Sequence, residues 1–206
     1  MTKPGHSLAL PPLLQAALEK LADVLNPSAP HTNWLLGGSC SLLLQGIQLE
    51  RAPRDIDLYA DIAAIPKLHN ALAQSLHVLD RPQLNETRMY RSVLSHYETE
   101  ACTVELVGDF EVRARESYYR VHVDKLLYPA SVPVAVGGVS IRLMPLSHEL
   151  IFNLLRDRSD RYEAISAHMR QQPHQHEALV RQLIDHNGFH PQLIQRILRL
   201  AGLEQG

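Results

Sequence analysis

The chain has 206 residues, 45% of them hydrophobic and 20% charged, enough apolar surface for one large domain or a domain with a smaller helical part. A net charge of −2 and a pI near 6.6 give no global pull towards nucleic acid or anionic membrane. Only a local basic patch is left open, with Arg51, Arg54, Arg88 and Arg91 as its candidates. The two cysteines, Cys40 and Cys102, sit in apolar or strand-like surroundings, which argues against a disulfide scaffold and for reduced thiols. Met1–His6 carry no basic-then-apolar leader, and no apolar run is long enough to span a bilayer, so the expected location is the cytoplasm.

Leu13, Leu14, Ala17, Leu18, Leu21 and Leu25 recur at helical spacing after Pro11-Pro12, and Pro27-Ser-Ala-Pro30 stops that helix. Trp34–Leu36 reads as a short buried strand. Ser39–Gln45 reads as a helix with Gly46 as its C-terminal cap. A polar loop over 48–54 leads into a strand at 56–60, where Ile56 and Leu58 oppose Asp55, Asp57 and Tyr59. A helix follows over 65–76, with Pro66 tolerated in its first turn. Residues 88–97 and 102–107 are rich in β-branched and aromatic types and predict a hairpin around Glu98-Thr-Glu100. Val132–Val136 and Val139–Leu143 flank Gly137-Gly138, a stronger hairpin signal. From Ser147 onward the pattern is helical, broken near Pro173 and around Asn187–Pro191. The expected division is an α/β domain over residues 1–145 and a helical subdomain over 146–206.

Two features carry chemistry. Gly37-Gly38-Ser39 joins a strand to a helix, a place where backbone N–H groups can cradle phosphate. Asp55-Ile56-Asp57 puts two carboxylates on one strand face, where they can share a hard divalent cation. Glu105, alone among apolar neighbours in Thr103–Val107, is the candidate third carboxylate, because an acid there is costly unless paired or metal-bound. Three oxygen ligands plus substrate phosphates suit Mg²⁺. Taken singly, the glycines can be a tight turn with a helix cap, and the aspartates a solvated strand edge.

Leu36-Gly37-Gly38-Ser39 with Arg54-Asp55-Ile56-Asp57-Leu58 resembles the signature of the DNA polymerase β-type nucleotidyltransferase superfamily. The likeness is greatest to its small bacterial members of the abortive-infection and lincosamide type. The resemblance covers about residues 33–107 and implies an α+β fold, a mixed sheet flanked by helices with a helical C-terminal part. It also implies Mg²⁺-dependent transfer of a nucleoside monophosphate from a nucleoside triphosphate to an unidentified hydroxyl acceptor, a small molecule, RNA or protein. Asp55, Asp57 and Glu105 would be the catalytic and metal-binding residues, and Gly37, Gly38, Ser39, Arg54 and Arg158 the triphosphate contacts. A module of this fold that has lost its chemistry, and a toxin with an antitoxin partner, are the rival readings.

Other residues weigh less. Arg158 and Arg161, in Arg156–Tyr162, can touch phosphate by the same resemblance or simply lace a solvated helix face. His168, His174 and His176 lack the spacing of a zinc site and read as capping or loop residues. Cys40 reads as a small buried residue rather than an activated thiol. Lys125 would reach phosphate only from a strand facing the cleft.

Overall fold

The computed structural model describes residues 10–29 and 31–204. The opening segment read for a leader and Pro30 lie outside the described residues. Helix α1 (Pro12–Ser28) buries Leu14, Leu18, Leu21 and Leu25, while Leu13, part of the same apolar set in the sequence, stays 71% exposed. Strand β1 (Leu35–Gly37) leads straight into α2 (Gly38–Leu44), whose end is turned by Gly46 at φ +81°. Strand β2 (Asp55–Ala60) follows the polar loop, and α3 (Ile65–Ser75) returns along the sheet.

Six further strands complete the sheet. They are β3 (His77–Glu86), β4 (Tyr90–Glu98), β5 (Thr103–Ala114), β6 (Ser117–Arg120), β7 (Val132–Val136) and β8 (Val139–Leu143) counted in chain order, with β7 and β8 forming the Gly-Gly hairpin. The spatial order is β3-β4-β5-β2-β1-β8-β7, with β6 paired to β5. Strand β2 runs parallel to β5 and β1 parallel to β8, while the other pairs are antiparallel, so the sheet is mixed as expected. Gly137 and Gly138 both have positive φ, which suits a two-residue turn of type I′.

Two strands escaped the sequence pattern. Strand β3 is a polar edge strand containing Pro82, and its pairing to β4 is interrupted by register shifts on either side of Asp80. Proline and bulges belong on sheet edges, where a missing N–H costs nothing. Strand β6 is four residues long and is held by β5 through the Arg115-Glu116 turn, both residues at positive φ. Lys125 falls in a π-helical turn (Val123–Leu127) capped by the Asp61 carboxylate, which accepts the Val123 and Asp124 N–H groups at 2.9 Å each.

After Pro145 come α4 (Leu146–Leu155), α5 (Ser159–Met169), α6 (His174–Asp185) and α7 (Pro191–Ala201). Alternation along the strands splits the core into two layers. Leu36, Ile56, Leu58 and Leu106 pack on α1 and α3. Leu35, Tyr59, Val107 and Phe110 face the opposite way and pack with α4 to α7. At roughly 1.5–3 kcal/mol per fully buried large apolar side chain, this second layer is what holds the four helices against the sheet. Asp55 and Asp57 share the face of Tyr59, so they look towards the C-terminal helices. Among the described residues no helix is long and apolar enough to cross a membrane.

Candidate active site

The parallel register of β2 and β5 sets Asp57 directly beside Glu105. One carboxylate oxygen from each of Asp55, Asp57 and Glu105 lies within 4.8 Å of the others, a donor set for a hard divalent cation. The structure thus brings together the three acids picked out of the sequence. Asp57 keeps part of its surface open to a cleft, yet its carboxyl is pushed up to about 7. Burial is the main cause, followed by the charges of Asp55, Glu105 and Glu149, with Arg161 pulling the other way. Burial also raises the Glu105 carboxyl, and His96 opposes that shift. His96 is held in turn by Asp80, with Nδ1 2.8 Å from Oδ2, while its Nε2 lies 3.7 Å from Glu105 Oε1. So many anions converging in one partly buried place are unfavourable until a cation joins them.

The glycines make room for this arrangement. A Cβ on Gly37 would sit 2.5 Å from the Tyr59 ring, and one on Gly38, which has φ +60°, would strike the Asp57 carboxylate. The Gly38 N–H does not point into open space but donates to Glu149 Oε1 at 2.9 Å. The Ser39 hydroxyl accepts from the Arg161 guanidinium at 2.7 Å, and both line a cleft. Cys40 is fully buried just behind them, and burial, then Asp57 and Asp55, drives its thiol pKa upward, consistent with an inert core residue.

Glu149, Asn153 and Arg156 were missed in the sequence. Glu149 lies buried on α4, its carboxyl raised by burial despite the Gly38 N–H and the nearby arginines. Its Oε2 accepts from Asn153 Nδ2 at 3.2 Å, and Asn153 Oδ1 accepts from Arg156 Nε and a terminal nitrogen at 3.3 and 3.0 Å. Arg156 then stacks on the Phe152 ring, 4.2 Å from its centroid. The signal was present: Glu149 is an isolated acid in the apolar run Leu146–Leu155, the same clue that singled out Glu105.

Two adjoining clefts meet at the carboxylates. The first, about 490 Å³, is lined by Ser39, Arg51, Arg54, Asp55, Arg158 and Arg161. The second, about 380 Å³, adds Asp57, Glu105, Asn85, Tyr90, Phe110 and Phe152. Ser39, Asp55, Arg158 and Arg161 belong to both. Arg158 is paired with Asp160 through two hydrogen bonds of 2.9 and 2.7 Å, and Arg54 is exposed on the rim. Lys125 lines neither cleft.

No protein-family profile and no curated protein matches the sequence. Solved structures do. A candidate nucleotidyltransferase of Thermotoga maritima is 21% identical, with a TM-score of 0.63 over 82% of this chain and 100% of that one. ANT(2″)-Ia in complex with adenylyl-2″-tobramycin is 10% identical, with a TM-score of 0.51 over 84% of this chain and 98% of its own. A solution structure of the antibiotic-resistance factor ANT(2″)-Ia gives 11%, 0.52, 84% and 92% for the same measures. The chain has a nucleotidyltransferase-type fold, consistent with the DNA polymerase β-type resemblance read from its motifs.

Proposed function

We propose that this protein is a Mg²⁺-dependent nucleotidyltransferase that moves a nucleoside monophosphate from a nucleoside triphosphate to an acceptor hydroxyl. The observation that carries the reading is the convergence of Asp55, Asp57 and Glu105 at the junction of an arginine-lined cleft and an aromatic one. The donor set fits the metal: three carboxylate oxygens in one place, with the Asp57 carboxyl pushed up to about 7 by burial and then by its fellow anions. Bound there, Mg²⁺ would neutralise phosphate charge and lower the barrier to hydroxyl attack.

The rest is the work of the chain. Ser39 Oγ and the guanidinium of Arg161, with Arg54 and Arg158, would hold the triphosphate in the first cleft. Gly37 and Gly38 act through the space they leave for Tyr59 and Asp57. The acceptor hydroxyl would enter from the second cleft beside Glu105, which takes its proton as the new oxygen–phosphorus bond forms. Pyrophosphate leaves with the electron pair of the broken bond, towards the arginines. Such chemistry is mainly positioning and charge stabilisation. Residues 1–145 would carry the carboxylates, and 146–206 would close over them with Glu149, Arg156, Arg158 and Arg161. Free Cys40 and Cys102 suit the cytoplasm.

Glu105 is beside Asp57 rather than turned away, which supports an intact centre over a module that has lost its chemistry. The test is incubation of the protein with Mg²⁺, each radiolabelled nucleoside triphosphate and a cell extract. Label should move to a discrete acceptor, and Asp57→Asn should reduce the rate at least about a thousandfold. Full activity in that variant would sink the proposal.

A further inference from the structure

Of the four arginines picked out in the sequence, Arg51 and Arg54 line the first cleft, and Arg91 is tied to Asp109 at 3.3 Å and Glu111 at 3.5 Å. Arg88 is left over. It is exposed, has no ion-pair partner among the described residues, and lines a third, larger groove of about 980 Å³. That groove adjoins the second cleft: Arg156 lines both, and Arg88-Met89 runs directly into Tyr90 of the second cleft. It presents four guanidiniums, those of Arg88, Arg113, Arg115 and Arg156, against the carboxylates of Glu116 and Asp157. Arg113 and Arg115 make ion pairs, yet their side chains stay 54% and 37% exposed, with donors to spare. Tyr118, 37% exposed, adds an aromatic surface to the same wall.

A compact hydroxyl compound would be held by the second cleft alone and would make no use of this groove. Regularly spaced phosphates with unstacked bases would use both the guanidiniums and the ring. We propose that the acceptor is the hydroxyl-bearing end of a single-stranded nucleic acid, whose preceding nucleotides lie in the groove of Arg88, Arg113, Arg115 and Tyr118. The inference rests on the nucleotidyl-transfer reading and deepens it. The terminal hydroxyl oxygen bonds to the α-phosphorus, the bond to pyrophosphate breaks with its electron pair leaving on pyrophosphate, and the hydroxyl proton passes to Glu105. The net charge of −2 hides this track because acids elsewhere balance it.

The test is fluorescence anisotropy of the full chain with short fluorescein-labelled single-stranded RNA and DNA of one sequence, across a salt series. Three phosphate contacts predict that log affinity falls with log salt at a slope of about −2. Arg88→Ala, which breaks no ion pair, should weaken binding several-fold, and Arg88→Glu/Arg115→Glu by at least about tenfold, with Mg²⁺·ATP binding by calorimetry unchanged. RNA bound over DNA would assign the acceptor as RNA, and the reverse as DNA. Salt-independent binding, no loss in either variant, or label from the triphosphate appearing only on protein or on small molecules would overturn the inference. If Mg²⁺·ATP binds and neither oligonucleotide does, this inference fails while the transfer reading stands. If Mg²⁺·ATP itself does not bind, the transfer reading is what fails.

Discussion

Gly38 shows how tightly single residues are held at this centre. Its φ of +60° disfavours any side chain, and a Cβ there would collide with the Asp57 carboxylate. Gly38→Ala should therefore cost about 1–3 kcal/mol in urea unfolding, and transfer should fall at least about a hundredfold as Asp57 is displaced. Asp57 itself makes a pH prediction. Its carboxyl sits at about 7 in the fold against 3.8 as a free side chain, so the folded state binds its proton more tightly. The metal-free protein should lose stability as pH rises from about 4 through about 7, the window in which the folded chain holds a proton that the unfolded chain has released. Metal binding needs the ionised form, so Mg²⁺ affinity measured by calorimetry should rise about tenfold between about pH 6 and about pH 8. Asp57→Asn should remove both dependences and raise the melting temperature of the metal-free protein at alkaline pH. A flat pH profile in the wild type would contradict the assignment of Asp57 as the raised group.

Helix α4 is the element that ties the two sides of the site together. Its buried Glu149 receives the Gly38 N–H, and the chain Glu149–Asn153–Arg156 ends on the Phe152 ring in the second cleft. Glu149→Gln keeps an acceptor for Gly38 but sets an amide NH₂ against that of Asn153. The expected cost is about 1–3 kcal/mol of stability, with a clear fall in transfer as Arg156 loosens. The β7–β8 hairpin is the matching control. Gly137, at φ +56°, lies where a Cβ would meet the Glu19 side chain of α1, away from the clefts. Gly137→Ala should lower the unfolding free energy by about 1–2 kcal/mol and leave transfer per folded molecule unchanged. The elements legible in advance were those with strong local signals, such as the Gly-Gly hairpin and the amphipathic α1. Strand β3 was not, because Asp80, Arg81, Pro82 and Asn85 give it little strand character of its own; pairing to β4 makes it a strand.

Across the whole molecule, the proposed cation would couple folding to occupancy of the site. The like charges of Asp55, Asp57, Glu105 and Glu149 crowd one partly buried place, and a bound cation would relieve them. Mg²⁺ with a nucleoside triphosphate at about a hundred times its dissociation constant should add about 2.7 kcal/mol, seen as several degrees in the melting curve. Asp57→Asn should abolish most of that increment, and an equal shift in wild type and variant would show that the nucleotide binds away from the carboxylates.

By itself, the sequence determined the local pieces: strand, Gly-Gly-Ser turn, helix, and a strand with carboxylates on one face. Periodicity and glycine chemistry act over a few residues, so they can be read in order along the chain. Only the tertiary structure decided that Glu105 meets Asp57, because that contact is a parallel register between strands far apart in sequence. It also turned Gly38 towards Glu149, 111 residues away, and laid the arginines of α5 and the β5–β6 turn along connected clefts. Those placements follow from how two layers of side chains pack against one twisted sheet, and no window of local sequence contains that information.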